Sequence, residues 1–140
     1  NLFITNGRAA VQFIQNSTRN TFHNNLLLGV SFESGAVAAN PSAVLMEVDG
    51  SVAENDYAGN VYVSGVVEGR QPNEGERILD EFSDARFARF PTGLDHEPND
   101  FRPTADARFL GAGAFHEGAP VDMQGNLRSG DVDAGPFELP

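Results

Sequence analysis

Asn25-Leu26-Leu27-Leu28 is preceded by Asn1-Leu2-Phe3-Ile4 and followed by Asn60-Val61-Tyr62-Val63, at offsets of twenty-four and thirty-five residues. Each copy is an Asn followed by three apolar residues, too short to bury a face alone. Such segments become stable when they stack in parallel, each supplying backbone partners to the next. Internal repeats of ~20–50 residues are the mark of solenoids built this way. Further short apolar runs lie between and after the copies: Val11-Gln12-Phe13-Ile14, Val30-Ser31-Phe32 and Val44-Leu45-Met46-Glu47-Val48. The stretches Glu33 to Pro41 and Gly50 to Gly59 read as loops that lengthen the repeat. Period-2 alternation within the runs predicts that Leu2, Ile4, Val11, Phe13, Leu26, Leu28, Val44, Met46, Val61 and Val63 mostly point inward.

Asn6, Asn16, Asn20, Asn24 and Asn25 sit where a stacked chain needs corners. Asn tolerates left-handed backbone angles and bonds neighbouring backbone groups. Turn residues or stacked Asn ladders are the structural reading; polar contacts to a glycan are the functional one.

The chain changes character after residue 70. Gln71-Pro72-Asn73-Glu74-Gly75 is a turn signal. Glu76 to Phe82 has apolar residues at i, i+1 and i+4, which predicts one or two helical turns. Seven of the eleven phenylalanines follow, at 82, 87, 90, 101, 109, 115 and 137. Pro91, Pro98, Pro103 and Pro120 break regular elements there. This predicts an irregular wrap whose Phe side chains plug the open end of the stack and shield its last strand edges. The expected division is therefore 1–70 for the stacked strands and 71–140 for the irregular segment and cap.

Three motifs are ordered along this last part: Asp100-Phe101-Arg102, then Leu110-Gly111-Ala112-Gly113, then Asp122-Met123-Gln124-Gly125-Asn126-Leu127-Arg128 leading to Asp133-Ala134-Gly135-Pro136-Phe137-Glu138. Their order and spacing resemble the C-terminal closing segment of secreted, pectate-lyase-like right-handed parallel β-helix proteins, with a closing motif of the choice-of-anchor Q type. The chain departs from that pattern at Ala107-Arg108, where Ser-Pro is usual, at Leu127 in place of Pro, and at Ala134 and Pro136 in place of Ile and Ala. The resemblance implies an all-β fold, a right-handed parallel β-helix with an irregular Phe-rich C-terminal cap. It also implies capping roles for Asp122, Gly125, Arg128, Asp133, Gly135 and Phe137. Gly125 is expected at positive φ, and Arg128 is expected to be held by a carboxylate or by C-terminal carbonyls.

Formal net charge is −11, from twenty acidic residues against nine cations, all of them arginine. Nucleic acid and anionic membrane surfaces are poor partners for such a surface. Neutral glycans, cations and other proteins suit it. No apolar run reaches the ~20 residues of a spanning helix, so membrane insertion is not expected. Zero Cys excludes disulfides and thiolate metal sites.

Chemistry-bearing residues are sparse. Asp95, Glu97 and Asp100 surround His96, and such carboxylates would suit Ca²⁺, although their spacing is not that of an EF-hand loop. His23, His96 and His116 show no zinc-like spacing. Lyases of this architecture take a proton α to a uronate carboxylate with a basic residue. With no lysine available, Arg19 and His23 are the candidates for that base. Asn16 and Asn24 are the candidates for glycan contact, and Asn16-Ser17-Thr18 is also a formal N-glycosylation sequon. For each of these an exposed loop or an ordinary corner is the plainer reading. Gly111-Ala112-Gly113 does not follow a strand-to-helix pattern, so no phosphate-cradling loop is predicted.

Two functions follow. One is an extracellular or cell-surface β-helix portion that binds or processes polysaccharide, as a lyase, epimerase or hydrolase would. The other is a non-enzymatic structural or adhesive component of a surface, matrix or filament assembly. A catalytic member should bring Arg, His and Asp groups together in one cleft; a rod should scatter them. The N-terminal coil, residues 1–30, is expected to be covered by further protein: the same parent chain, a second chain or another copy.

Overall fold

The three Asn-plus-apolar copies become strands that pair in parallel with one another. The computed structural model describes residues 1–7, 9–33, 36–39, 43–48, 52–81, 85–90 and 99–139, with backbone alone at 32–33 and 36–39. Sheet one contains β1 (Leu2–Thr5), β4 (Leu26–Glu33), β8 (Val61–Val63) and β10 (Arg77–Leu79), parallel and in that spatial order. Its register aligns Leu2, Leu26, Val61 and Arg77, and alongside them Phe3, Leu27, Tyr62 and Ile78. Sheet two is β2 (Val11–Phe13), β6 (Ala43–Glu47) and β9 (Val66–Glu68); sheet three is β3 (Thr21–His23) and β7 (Asp56–Ala58). Both are parallel throughout. The chain visits sheets one, two and three in turn and then returns to sheet one. Two antiparallel additions complete the strands: β5 (Ala36–Ala39) folds back on β4, and β11 (Phe87–Arg89) pairs β12 (Asp100–Pro103). Among the described residues the fold is all-β, and no helix is long and apolar enough to cross a membrane.

A strand that is buried on both faces reads as a continuous apolar run, the habit of parallel sheets. Leu26-Leu27-Leu28 and Val61-Tyr62-Val63 are such runs, and all six residues are buried. Alternate residues serve two separate cores. Leu27 and Tyr62, with Phe3 beside them, pack against Val44, Leu45, Tyr57, Phe13 and Phe22 from sheets two and three. Leu26, Leu28, Val61 and Val63 pack the other way, against Ala107, Phe109, Ala112 and Ala134 of the C-terminal segment.

The expected phase of sheet one is thereby reversed. Leu2, Leu26, Leu28, Val61 and Val63 face the C-terminal segment, while their neighbours Phe3, Leu27 and Tyr62 fill the space between the sheets. Ile4, expected inward, is 38 % exposed. In sheet two Val11, Phe13 and Val44 do join the inter-sheet core. Met46 is buried but falls in register with the exposed Gln12 and Glu68. A register shift between Ala43 and Leu45 lets the adjacent Val44 and Leu45 enter the same core, the usual consequence of a local bulge.

Three further expectations are corrected. Residues 77–79 form β10, not helical turns. The free edge of β8 offers hydrogen bonds that a short helix would forgo: the Arg77 N–H donates to Asn60 O, and the Ser64 N–H to Leu79 O. Parallel stacking consequently continues past residue 70. Finally, the phenylalanines of the last part do not plug an end. Phe87, Phe90 and Phe109 cover the outer face of sheet one, with Phe101 edge-on to Phe87 and Phe90. Phe115 is exposed, and Phe82 lies outside the described residues.

The Asn that opens each copy forms a side-chain ladder. Asn1 Nδ2 donates to Asn25 Oδ1 at 2.9 Å, and Asn25 Nδ2 donates to Asn60 Oδ1 at 3.0 Å. Asn60 Nδ2 then donates to Glu76 Oε1 at 2.9 Å. Glu76 ends the ladder with a fully buried carboxylate, paired with Arg70 and accepting from the Tyr62 hydroxyl. Arg70 lies 3.9 Å above the Tyr57 ring. Asn20 and Asn55 form a second, shorter rung of the same kind.

Candidate functional site

Sheet three and the C-terminal segment meet at a corner, and the corner is built from backbone that turns left-handed. Asn24, Gly59 and Gly75 each precede a member of the ladder, and their φ values are +55°, +61° and +92°. Asn is the side chain that adopts such angles most readily after Gly. Asn24 then uses both ends of its amide on the C-terminal segment: Nδ2 donates to Ala114 O at 2.5 Å, and Oδ1 accepts from Ala114 N at 2.6 Å. The Gly135 N–H donates to Asn24 O at 2.9 Å. Gly59 leaves room for this docking, since a Cβ there would lie 2.4 Å from Ala114 N.

Beyond the dock, the chain closes on itself. Asp122 Oδ1 accepts from the N–H groups of Gln124 and Asn126, both at 2.8 Å, across a turn in which Gly125 has φ +86°. Its Oδ2 accepts from Asn126 Nδ2 and from Glu138 N, both at 2.9 Å. Burial opposes ionisation of Asp122, but the donors from Glu138, Asn126 and Gln124 outweigh it and hold the carboxyl below the usual range. Arg128 is 8 % exposed and is held from two sides. Its Nη1 donates to Asp133 O at 3.0 Å and pairs with Glu138 Oε1 at 2.9 Å; its Nη2 donates to Gly135 O at 2.8 Å. Asp133 bonds backbone, accepting from Gly111 N at 2.7 Å and Leu139 N at 2.9 Å. Phe137 is half-buried in the same closure. These contacts are all internal, and they make the segment a strut beside sheet one.

Between β3 and this strut lies an open cleft of about 420 Å³. The β3 side contributes Thr21, His23 and Asn24. The C-terminal segment contributes His116, Val121, Asp122, Met123, Arg128 and Pro136. The rings of His23 and His116 stand edge to face, 5.3 Å between centroids. His23 Nε2 is 2.9 Å from Asp56 Oδ2 of β7. That separation is an ion-pair distance, yet the angle is not that of a hydrogen bond, and the buried Nε2 has no hydrogen-bond partner. His116 Nδ1 accepts from the Gly118 N–H at 3.0 Å, which places the ring proton of a neutral imidazole on Nε2. Met123 is 77 % exposed beside these polar groups, and Val121 is also exposed.

Of the residues singled out from sequence, His23 and Asn24 come to this cleft. Asn24 does not serve as a free glycan contact, because Ala114 already engages both ends of its amide. Arg19 is elsewhere, an exposed corner residue at φ +57° whose Nε donates to Glu54 Oε2 at 2.8 Å. The two candidate bases, Arg19 and His23, are therefore not brought together in one site. Asn16 is an exposed turn residue at φ +62°. Asp95 and Glu97 lie outside the described residues. Asp100 is bound to Arg102, whose hydrogen bonds bring its carboxyl down to about 2. Among the described residues no group of three His, Asp or Glu side chains is arranged to hold a metal ion.

Sequence reasoning missed His116 and Met123 as cleft residues, and Asp56 as the carboxylate behind His23. Nothing in their spacing relates them to His23; the docking of the C-terminal segment does. No protein-family model matches the chain, and a search of characterised proteins finds no significant match.

Proposed function

We propose that the chain is part of an extracellular or cell-surface right-handed parallel β-helix whose cleft beside β3 binds a polysaccharide. The ordered passage through three parallel sheets supports the architecture, and crossovers between parallel strands are right-handed in about 98 % of cases. One observation carries the binding: the cleft is lined by polar ring and hydroxyl groups together with exposed Met123 and Val121. A sugar ring has the same two characters, an apolar C–H face and a hydroxyl edge. The cleft volume falls within the ~300–1,000 Å³ of ligand sites. Binding is favoured over lyase chemistry because Arg19 is absent from the cleft and Arg128 is fully engaged. Calorimetric titration with a set of oligosaccharides tests this. Binding that Met123→Asp and His23→Ala each weaken at least tenfold is expected; a glycan that binds equally to both variants would place its site elsewhere.

A structural or adhesive role is favoured by a different observation. Among the described residues β1, β2 and β3 each pair on one side only, and Phe3, Val11, Phe13 and Phe22 are half-buried at that end. Free parallel edges beside an aromatic layer are a template for more strands. A further layer of protein strands, from the same parent, a second chain or another copy, fits there. Sedimentation tests the last of these: concentration-dependent association that a Phe13→Glu substitution abolishes is expected for end-to-end stacking, and a strict monomer removes it.

A further inference from the structure

We infer that the glycan taken by the cleft is uncharged, and that the cleft selects against uronates. This rests on the glycan-binding reading above. Recognition of an acidic sugar needs an accessible cation, and arginine in a bidentate pose is the usual one. The protein has no lysine, so arginine must supply any permanent positive charge. Arg128 is the arginine among the described lining residues. It is not accessible: both terminal nitrogens already hold Asp133 O, Gly135 O and the Glu138 carboxylate, and its Nε is buried below the surface.

Among the described residues the other charged side chains at the cleft are negative. Asp122 lines it as a carboxylate surrounded by donors. Asp56 stands 2.9 Å behind His23 Nε2. What the cleft offers a ligand is neutral hydrogen bonding: the Thr21 hydroxyl and the His116 Nε2–H. These groups suit sugar hydroxyls and leave a carboxylate without a counter-charge.

The experiment compares an uncharged oligosaccharide with an oligouronate of equal length, by calorimetry at pH 7.5 and low salt. The expected result is binding of the neutral chain, with the oligouronate at least tenfold weaker. Two controls tie the difference to charge. Added salt should narrow the gap, because it screens repulsion between exposed charges. Asp56→Asn, a change at an exposed side chain, should strengthen oligouronate binding relative to that of the neutral chain. An oligouronate that binds as tightly as the neutral chain, or tighter, overturns the selectivity while glycan binding stands. Failure of both chains to bind the folded protein overturns glycan binding, and the selectivity with it.

Discussion

Asn24 and Ala114, ninety residues apart, are joined by two hydrogen bonds of one amide, Nδ2 to O at 2.5 Å and N to Oδ1 at 2.6 Å. This contact fixes the C-terminal segment to the corner of the stacked strands. It uses the side chain for docking and the backbone, at φ +55°, for the turn. Asn24→Ala removes both functions. Two unsatisfied backbone groups at Ala114 and a strained corner should cost about 2–4 kcal/mol. Asn24→Gly keeps the corner and loses only the docking. Chemical denaturation should therefore rank the wild type above Asn24→Gly, and Asn24→Gly above Asn24→Ala. Equal stability of the two variants would mean that φ at this corner carries no cost.

Gly59 and Gly75 share the left-handed corner but differ in surroundings. A Cβ at Gly59 would lie 2.4 Å from Ala114 N and from Asn24 Oδ1, whereas nothing lies within 4 Å at Gly75. Gly75→Ala should cost only the ~1–2 kcal/mol of a left-handed alanine. Gly59→Ala pays that amount and also pushes against backbone of the docked segment, so its midpoint in urea should fall further. The difference between the two isolates the docking contact from the backbone angle.

The buried Glu76 gives the protein an acid sensitivity whose sign can be worked out. Burial opposes its ionisation, but hydrogen bonds from Arg70, Tyr62, Asn60 and Asn73 outweigh it and lower its carboxyl below the ordinary 4.5. A lowered folded value contributes stability that is present above the unfolded value and lost as pH falls through the folded one. Stability should thus decline below about pH 4.5, a reference value the unfolded chain sets. Glu76→Gln leaves Arg70 buried without its counter-charge, at a cost of about 3–5 kcal/mol at neutral pH. Its stability should fall less steeply with acid than that of the wild type, with the other lowered carboxyls, Asp122, Asp100 and Asp106, contributing to the slope that remains. An identical pH dependence in both proteins would remove Glu76 from the account.

The Asn-plus-apolar copies were enough to place β1, β4 and β8 and to pair them in parallel, because the repeat carries its own register through Asn1, Asn25 and Asn60. The phase of the side chains was not legible. An unbroken run such as Leu26-Leu27-Leu28 is buried on both faces, and alternation has no meaning until the covering segment is known. That cover, Ala107 to Ala134, has no periodicity of its own and is held by contacts far apart in sequence. Residues 77–79 were misread for a related cause: Ile78 and Leu79 fit a helix locally, and the edge of β8 decides otherwise. In the closing turn the roles of Asp122 and Gly125 came from the resemblance of the motif to a capping segment, and the turn that Asp122 closes, with Gly125 at φ +86°, agrees with them. The cleft was not readable, because His23 and His116 meet only after the C-terminal segment docks.

Arg128 gives the most direct test of that docking. It is a buried cation among Glu138, Asp133 O and Gly135 O. Arg128→Ala leaves the Glu138 carboxylate, 9 % exposed, without its partner, and a loss of about 3 kcal/mol or more is expected. Lysine restores a charge but not the fork that reaches two carbonyls and a carboxylate, so Arg128→Lys should fall between. The pH dependence separates lost charge from lost packing. The Glu138 carboxyl is raised by burial, and Arg128 is among the groups that hold it back. Without Arg128 it should rise further. A raised folded value means that the folded state holds more protons, so stability increases as pH falls through that value toward the unfolded one. Acidification from neutral pH toward 5 should therefore recover part of the deficit of Arg128→Ala, and none of it in Arg128→Ala combined with Glu138→Gln. Hydrogen exchange should locate the damage in residues 111–139 before sheet one. If Arg128→Ala instead kept wild-type stability and lost glycan binding alone, Arg128 would be a ligand contact and its role as a strut would be mistaken.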